Sequence, residues 1–183
     1  MAISAADVKK LREATGAAML DCKNALEQNN GNFEQALEWL KEKGLAKAAK
    51  KADRVTKEGR IEVYVHPGNR VAVMVEVNCE TDFVAKTEAF QNFTHDVALH
   101  IAMANPKYLD TTGVPESELE AVKAEGRATE KYYEDVCLMQ QPFVKNESIT
   151  IGQMLKGAIA TIGENMNIRR FIRYEMGNDQ KDG

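Results

Sequence analysis

Ile61-Glu62-Val63-Tyr64-Val65-His66-Pro67-Gly68-Asn69-Arg70-Val71-Ala72-Val73-Met74-Val75-Glu76-Val77 decides the fold class of this chain. Ile61, Val63 and Val65 alternate with Glu62, Tyr64 and His66, the period of a strand with one buried face. Pro67-Gly68-Asn69 is a turn signal, because Pro presets its own φ while Gly and Asn tolerate left-handed backbone. Val71, Val73, Val75 and Val77 then resume the alternation. The stretch predicts a β-hairpin whose branched residues share one core face.

On both sides of the hairpin the period becomes helical. Phe90, Phe93, Val97 and Ile101 predict a helix closed by Asn105-Pro106. Residues 116–139 predict an acidic amphipathic helix interrupted near Gly126, followed by a loop through Gln141-Pro142-Phe143. A further helix is expected from about Thr150 to Glu164, and a last strand from Ile168 to Met176. Upstream, Ser4 and Asp7 read as a capping box before Val8 and Leu11, up to a turn at Thr15-Gly16. Ala18, Cys22, Ala25 and Leu26 stripe a second helix. Asn32 caps a third, with Phe33, Ala36, Leu37 and Leu40 on its apolar face and Gly44 expected as its left-handed end.

The pattern is α+β: three N-terminal helices, then a small antiparallel sheet of about three strands with helices on one face. The boundaries drawn are a helical module at 1–44, a basic linker at 45–58, a core domain at 59–176 and a flexible tail at 177–183. Residues 41–60 hold eight basic side chains against three acidic ones, a local +5 in a chain of net charge −4. Such a sheet leaves its second face open. Tyr64, Ala72, Met74 and Phe171 are expected there, and pairing of two copies through that face is the expected cover.

Composition excludes several functions. A chain of 183 residues with 44% hydrophobic and 28% charged residues is globular, and its acidic balance argues against a dedicated nucleic-acid binder. No apolar run reaches the roughly 20 residues of a membrane span, and Met1–Asp7 lacks the regions of a signal peptide. Cys22, Cys79 and Cys137, odd in number and widely spaced, read as reduced, buried thiols. The chain contains no phosphate-binding glycine loop, no nucleophile elbow and no metal-ligand spacing of His66, His95 and His100. His95 and His100, five apart, are expected on different helix faces as surface residues. A Cys79–His66 couple on the hairpin is the weak enzymatic alternative.

Several motifs carry a family resemblance. Glu76-Val77-Asn78-Cys79-Glu80-Thr81-Asp82-Phe83-Val84-Ala85 resembles the central motif of the translation elongation factor Ts family. Val8-Lys9-Lys10-Leu11-Arg12-Glu13-Ala14-Thr15-Gly16-Ala17-Ala18-Met19-Leu20-Asp21-Cys22-Lys23 is similar to its N-terminal signature. Asn30–Leu40 resembles the third helix of a ubiquitin-associated-type module. Gln141-Pro142-Phe143 and the stretch from Ile162 to Arg173 agree in order as well. Residues 115–141 look shorter than is usual in the family.

The resemblance implies a guanine nucleotide exchange factor rather than an enzyme, with no cofactor of its own. Its implied partner is elongation factor Tu, GDP-bound or nucleotide-free, in a bacterial cytoplasm or an organellar stroma or matrix. By the same resemblance Arg12, Met19 and Leu20 occupy docking positions. Thr81, Asp82, Phe83 and Val84 form the inserting motif, with Phe83 as wedge and Asp82 near the partner's Mg²⁺ region. His66, at the hairpin tip, approaches the phosphate loop. No membrane and no direct nucleic-acid contact are implied. Periodicity alone places Phe83 as a cap on the core and Met19 in the core of its module. Because Met19 and Leu20 are adjacent, one of them is expected to face solvent. Three other readings stay open from the residues: a ubiquitin-associated-type adaptor with an unrelated partner, an RNA-contacting protein using 41–60, and a thiol enzyme using Cys79.

Overall fold

The computed structural model describes residues 3–178. The chain divides into two compact units. One runs through Arg54 and takes in Lys156–Asn165; the other comprises Val55–Leu155 and the chain from Met166 onward. Residues 179–183 of the expected tail, and Met1 and Ala2, lie outside the described residues.

The first unit begins with three helices, α1 (Ala5–Thr15), α2 (Met19–Gln28) and α3 (Phe33–Ala49). Ser4 and Asp7 make the reciprocal capping box, and Gly16 ends α1 at φ 66° with its N–H on the Arg12 carbonyl. Asn32 caps α3 by accepting from the Gln35 N–H. Val8, Leu11, Cys22, Ala25, Leu26, Ala36 and Leu40 form the core, with Phe33, Leu37 and Trp39 packed at its margin.

The expected end of the third helix at Gly44 is corrected: α3 continues through it to Ala49. The residues after Gly44 are strong helix formers, and Gly44 serves a close approach instead of a turn. A Cβ there would meet the Ala160 Cβ at 3.2 Å. Beyond α3 the basic segment is held as well. Asn165 donates to the Ala52 carbonyl (3.1 Å) and the Arg54 carbonyl (2.8 Å), and Lys51 donates to the Gly163 carbonyl. Asp21 takes both Lys43 (3.2 Å) and Lys47 (2.8 Å); the Lys47 hydrogen bond, with that of Lys43, holds its carboxyl below the usual range.

In the second unit β1 (Glu58–Val65), β2 (Val71–Cys79) and β5 (Met166–Glu175) form an antiparallel sheet in the order β1-β2-β5. The one-turn α4 (Asp82–Ala85) and the long α5 (Glu88–Ala104) follow β2. Then come α6 (Glu116–Ala124), α7 (Thr129–Val136), and the hairpin β3 (Pro142–Phe143) and β4 (Asn146–Thr150); α8 (Ile151–Ile162) begins in this unit and from Lys156 belongs to the first. The acidic helix expected at 116–139 is thus two helices, broken by Gly126 at φ 71°. The β3–β4 hairpin replaces part of the expected loop.

The hairpin register overturns the expectation of one shared branched face. Val65 pairs with Ala72, Tyr64 with Val73, Val63 with Met74 and Glu62 with Val75. Four residues, Pro67–Arg70, lie between His66 and Val71, and the His66 N–H closes the turn on the Val71 carbonyl at 2.9 Å. An even turn length places odd positions of β1 beside even positions of β2. Opposed residues in an antiparallel pair share a face. Val73, Val75 and Val77 therefore point inward and are buried, while Ile61, Val63 and Val65 point outward and are exposed.

Across the three strands the outward rows are Ile61-Glu76-Arg170, Val63-Met74-Ile172 and Val65-Ala72-Tyr174. Tyr64 and Phe171, expected on the open face, belong to the inward rows with Val73 and Val75. Two charged residues are buried inward. Glu62 accepts from the Arg60 Nε (2.8 Å) and lies 3.3 Å from His95 Nδ1, while the Arg173 Nε donates to the Ala102 carbonyl (3.2 Å). Phe90, Phe93, Val97 and Ile101 of α5 are buried.

His100 is fully buried, against the expectation of a surface residue. The Val144 N–H donates to its Nδ1 (3.3 Å), so its Nε2 carries the hydrogen toward the Gln141 Oε1 (3.0 Å). Gln141 in turn donates to the Asp135 carbonyl (2.9 Å). Both ring nitrogens are thereby satisfied, which makes the burial tolerable.

Candidate functional site

Among the described residues, Phe83 is the most exposed large hydrophobic side chain. It sits in α4, where β2 hands over to α5, and 78% of its surface is open to solvent. The reading of Phe83 as a core cap is not met.

The turn that carries Phe83 is fixed at both ends. Thr81 caps α4 by accepting from the Val84 N–H (3.3 Å), and the Cys79 thiol donates to the Thr81 carbonyl (3.1 Å). Thr87 donates its hydroxyl to the Val84 carbonyl (2.8 Å), and its oxygen also accepts from the Phe90 N–H at the head of α5. The Gln91 amide reaches the Lys86 carbonyl (3.1 Å). Val84 is buried and anchors the turn, while Asp82 and Thr81 are exposed beside Phe83. Asp82 accepts from Lys86 at 2.7 Å, and that hydrogen bond holds its carboxyl below the usual carboxylate range. Sequence reasoning missed Lys86, although the Asp82–Lys86 spacing of four was a visible signal.

Gly59 belongs to the same end of the sheet. It stands opposite Asn78 at φ 150°, and a Cβ there would lie 2.2 Å from the Val77 carbonyl oxygen. Only glycine allows β1 to pass this close to the neighbouring strand, just before that strand runs into the exposed motif at Thr81.

His66 lies at the other end of the hairpin, in its turn, half-buried and 3.1 Å from the Tyr64 hydroxyl through Nδ1. The length of β1 separates this end from Glu58, so His66 and Phe83 of one chain are roughly 20 Å apart or more. A similar distance separates His66 from Cys79, and no thiolate–imidazole couple forms. All three cysteines are buried thiols, and burial pushes the Cys137 thiol up to about 11. Among the described residues no group of three or more His, Cys, Asp or Glu is placed to hold a metal. No helix among them is long and apolar enough to cross a membrane.

In the first unit the three expected docking positions gather at one corner. Arg12 lies in the last turn of α1, while Met19 and Leu20 open α2. The expectation that one of the two apolar residues faces solvent is met by both, Met19 being 49% and Leu20 69% exposed, and the reading of Met19 as a residue of its module's core is not met. Cys22, Ala25 and Leu26 face the core; Leu20 lies on the far side of α2 from them, while Met19, three residues before Cys22, lies along their face in the open first turn.

The family model described as elongation factor TS matches residues 4–128 and 123–178, nearly the whole chain. The chain belongs to the elongation factor Ts family. The elongation factor Ts of Carboxydothermus hydrogenoformans is 50% identical over 190 residues, covering 93% of this chain and 87% of that protein. Those of Herpetosiphon aurantiacus and Syntrophus aciditrophicus are 47% and 46% identical, covering 98% and 99% of this chain and 100% of each of those proteins. The α+β order of three helices, antiparallel sheet and covering helices is that of an elongation factor Ts chain. Membership assigns the chain to translation elongation.

Proposed function

We propose that this chain is the guanine nucleotide exchange factor of elongation factor Tu, binding its GDP form and promoting GDP release. The observation that carries the reading is Phe83, an exposed aromatic on a turn fixed by hydrogen bonds at both ends. An apolar ring held in water is costly to keep and favourable to bury, which suits a wedge that enters a partner.

GDP on such a GTPase is gripped by backbone N–H groups around its phosphates and by Mg²⁺. Phe83 inserts beside that region, and Asp82 stands next to the metal's surroundings. The coupling is reciprocal: the factor loosens GDP by the same factor by which GDP loosens the factor. A thousandfold loosening requires about 4 kcal/mol. One buried Phe contributes only about 1.5–3 kcal/mol. The difference calls for an anchor, and exposed Met19 and Leu20 with Arg12 at the α1–α2 corner supply apolar area and a cationic group, Met and Arg being enriched at interfaces. Thr81 and Val84 act through the turn, as cap and as buried anchor.

Two copies pair through the outward sheet face. Val63, Met74 and Ile172 form one exposed row across the three strands, Val65, Ala72 and Tyr174 the next. A twofold contact covers this apolar patch twice over. Because His66 is remote from Phe83 within a chain, His66 of one copy acts beside Phe83 of the other. Release of fluorescent GDP from elongation factor Tu, with and without this protein, tests the exchange reading. Acceleration at catalytic amounts supports it; an unchanged release rate with excess protein refutes it.

A further inference from the structure

Asp82, the neighbour of Phe83, does not face the solvent alone. Its carboxylate lies 2.7 Å from the ammonium of Lys86, one helical turn on, with the acid on the N-terminal side that favours such pairs. The backbone under the pair is immobilised by Thr81, Thr87 and Gln91. Both side chains are largely exposed, 65% for Asp82 and 76% for Lys86, so the pair adds little to folding. What it does change is the direction and the charge of the carboxylate beside the ring. A lone carboxylate brought toward a bound diphosphate is repelled. A carboxylate covered by an ammonium presents a nearly neutral edge.

We infer that Lys86 is a positioning residue of the exchange site, holding Asp82 over the α4 turn and neutralising it as the Asp82–Phe83 edge approaches an anionic nucleotide pocket. Lys86 acts through Asp82, not by touching the nucleotide. The inference rests on the exchange function proposed above.

The test measures release of fluorescent GDP from elongation factor Tu by the full chain and by Lys86→Met, Lys86→Arg, Asp82→Asn and the Asp82→Asn/Lys86→Met double variant. Thermal unfolding of each variant checks that the fold is kept. Lys86→Met is expected to slow the stimulated release about threefold at low salt, an effect of the size of an exposed ion pair. The deficit should shrink as salt screens the pair, and Lys86→Arg should restore the rate. In the double variant the loss should equal that of Asp82→Asn alone, because the lysine has nothing left to act through. A folded Lys86→Met with the parent rate overturns the inference, as do losses that multiply in the double variant. If the parent chain itself fails to accelerate release, the exchange reading falls and takes this inference with it. If the parent is active and Lys86→Met equals it, only the inference falls.

Discussion

Replacing Phe83 by Ala separates a wedge from a core residue. In the free chain 78% of the Phe83 surface is exposed, so the ring contributes little to folding and most of its burial is left for a partner. Full burial of a Phe is worth about 1.5–3 kcal/mol. Scaled by the exposed share, the loss on truncation is about 1.2–2.3 kcal/mol, or about sevenfold to fiftyfold in stimulated GDP release. The assay is release of fluorescent GDP from elongation factor Tu under limiting factor, read alongside the urea midpoint of the variant. Phe83→Ala should keep the parent midpoint and lower the stimulation by that factor. Val84→Ala is the contrast, because that side chain is buried beneath the turn. It should cost about 1.5–3 kcal/mol of folding stability. A folded Phe83→Ala with an unchanged exchange rate, or one whose stability falls as far as that of Val84→Ala, would refute the reasoning.

His100 gives a pH dependence with a definite sign. Burial pushes its pKa below the ordinary 6.5, so on acidification the unfolded imidazole takes its proton first and the folded state loses ground. Stability should be full above about pH 6.5 and fall as the pH drops from there toward the lowered folded value. Urea midpoints for the parent and His100→Gln across that window check it, with the variant less stable at neutral pH but flatter. Gly59→Ala should cost at least about 2 kcal/mol in thermal or urea unfolding, since its methyl group meets the Val77 carbonyl rather than a movable side chain. Tyr132 donates to Glu118, and this bond pushes its hydroxyl up to about 12 from 10.0. Glu118→Gln should bring the tyrosine absorbance titration back toward 10.0. Met74→Glu, at the centre of the outward sheet face, should turn a dimer into a monomer by sedimentation equilibrium; a parent chain that is already monomeric at micromolar concentration refutes sheet pairing.

The elements were legible in the sequence wherever one local rule dominated. Ser4 with Asp7, Gly16 and Asn32 set helix ends through caps that depend on a few neighbouring atoms. The alternation from Ile61 to Val77 announced two strands. Which side of each strand was hidden depended on the number of turn residues between them, and valines on both faces concealed the answer. Gly44 looked like a helix end because its true constraint, the Ala160 methyl at 3.2 Å, comes from a distant part of the chain. His100 looked like a surface residue because the groups that satisfy it, Gln141 and Val144, lie 41 and 44 residues away. At the exposed turn the motif named Phe83, but its rigidity came from Thr87, Gln91 and Cys79, whose roles are set by the path of the backbone.

The two outer strands of the sheet each turn a buried charge inward, Glu62 on β1 and Arg173 on β5. A flat strand edge is a template on which a further chain can build, and inward charges at such edges are a recognised guard against it. A newcomer strand alongside Glu62 would have to set its own inward side chains next to a carboxylate already shared by Arg60 and His95. Sideways accretion into ribbons or fibrils is thereby disfavoured.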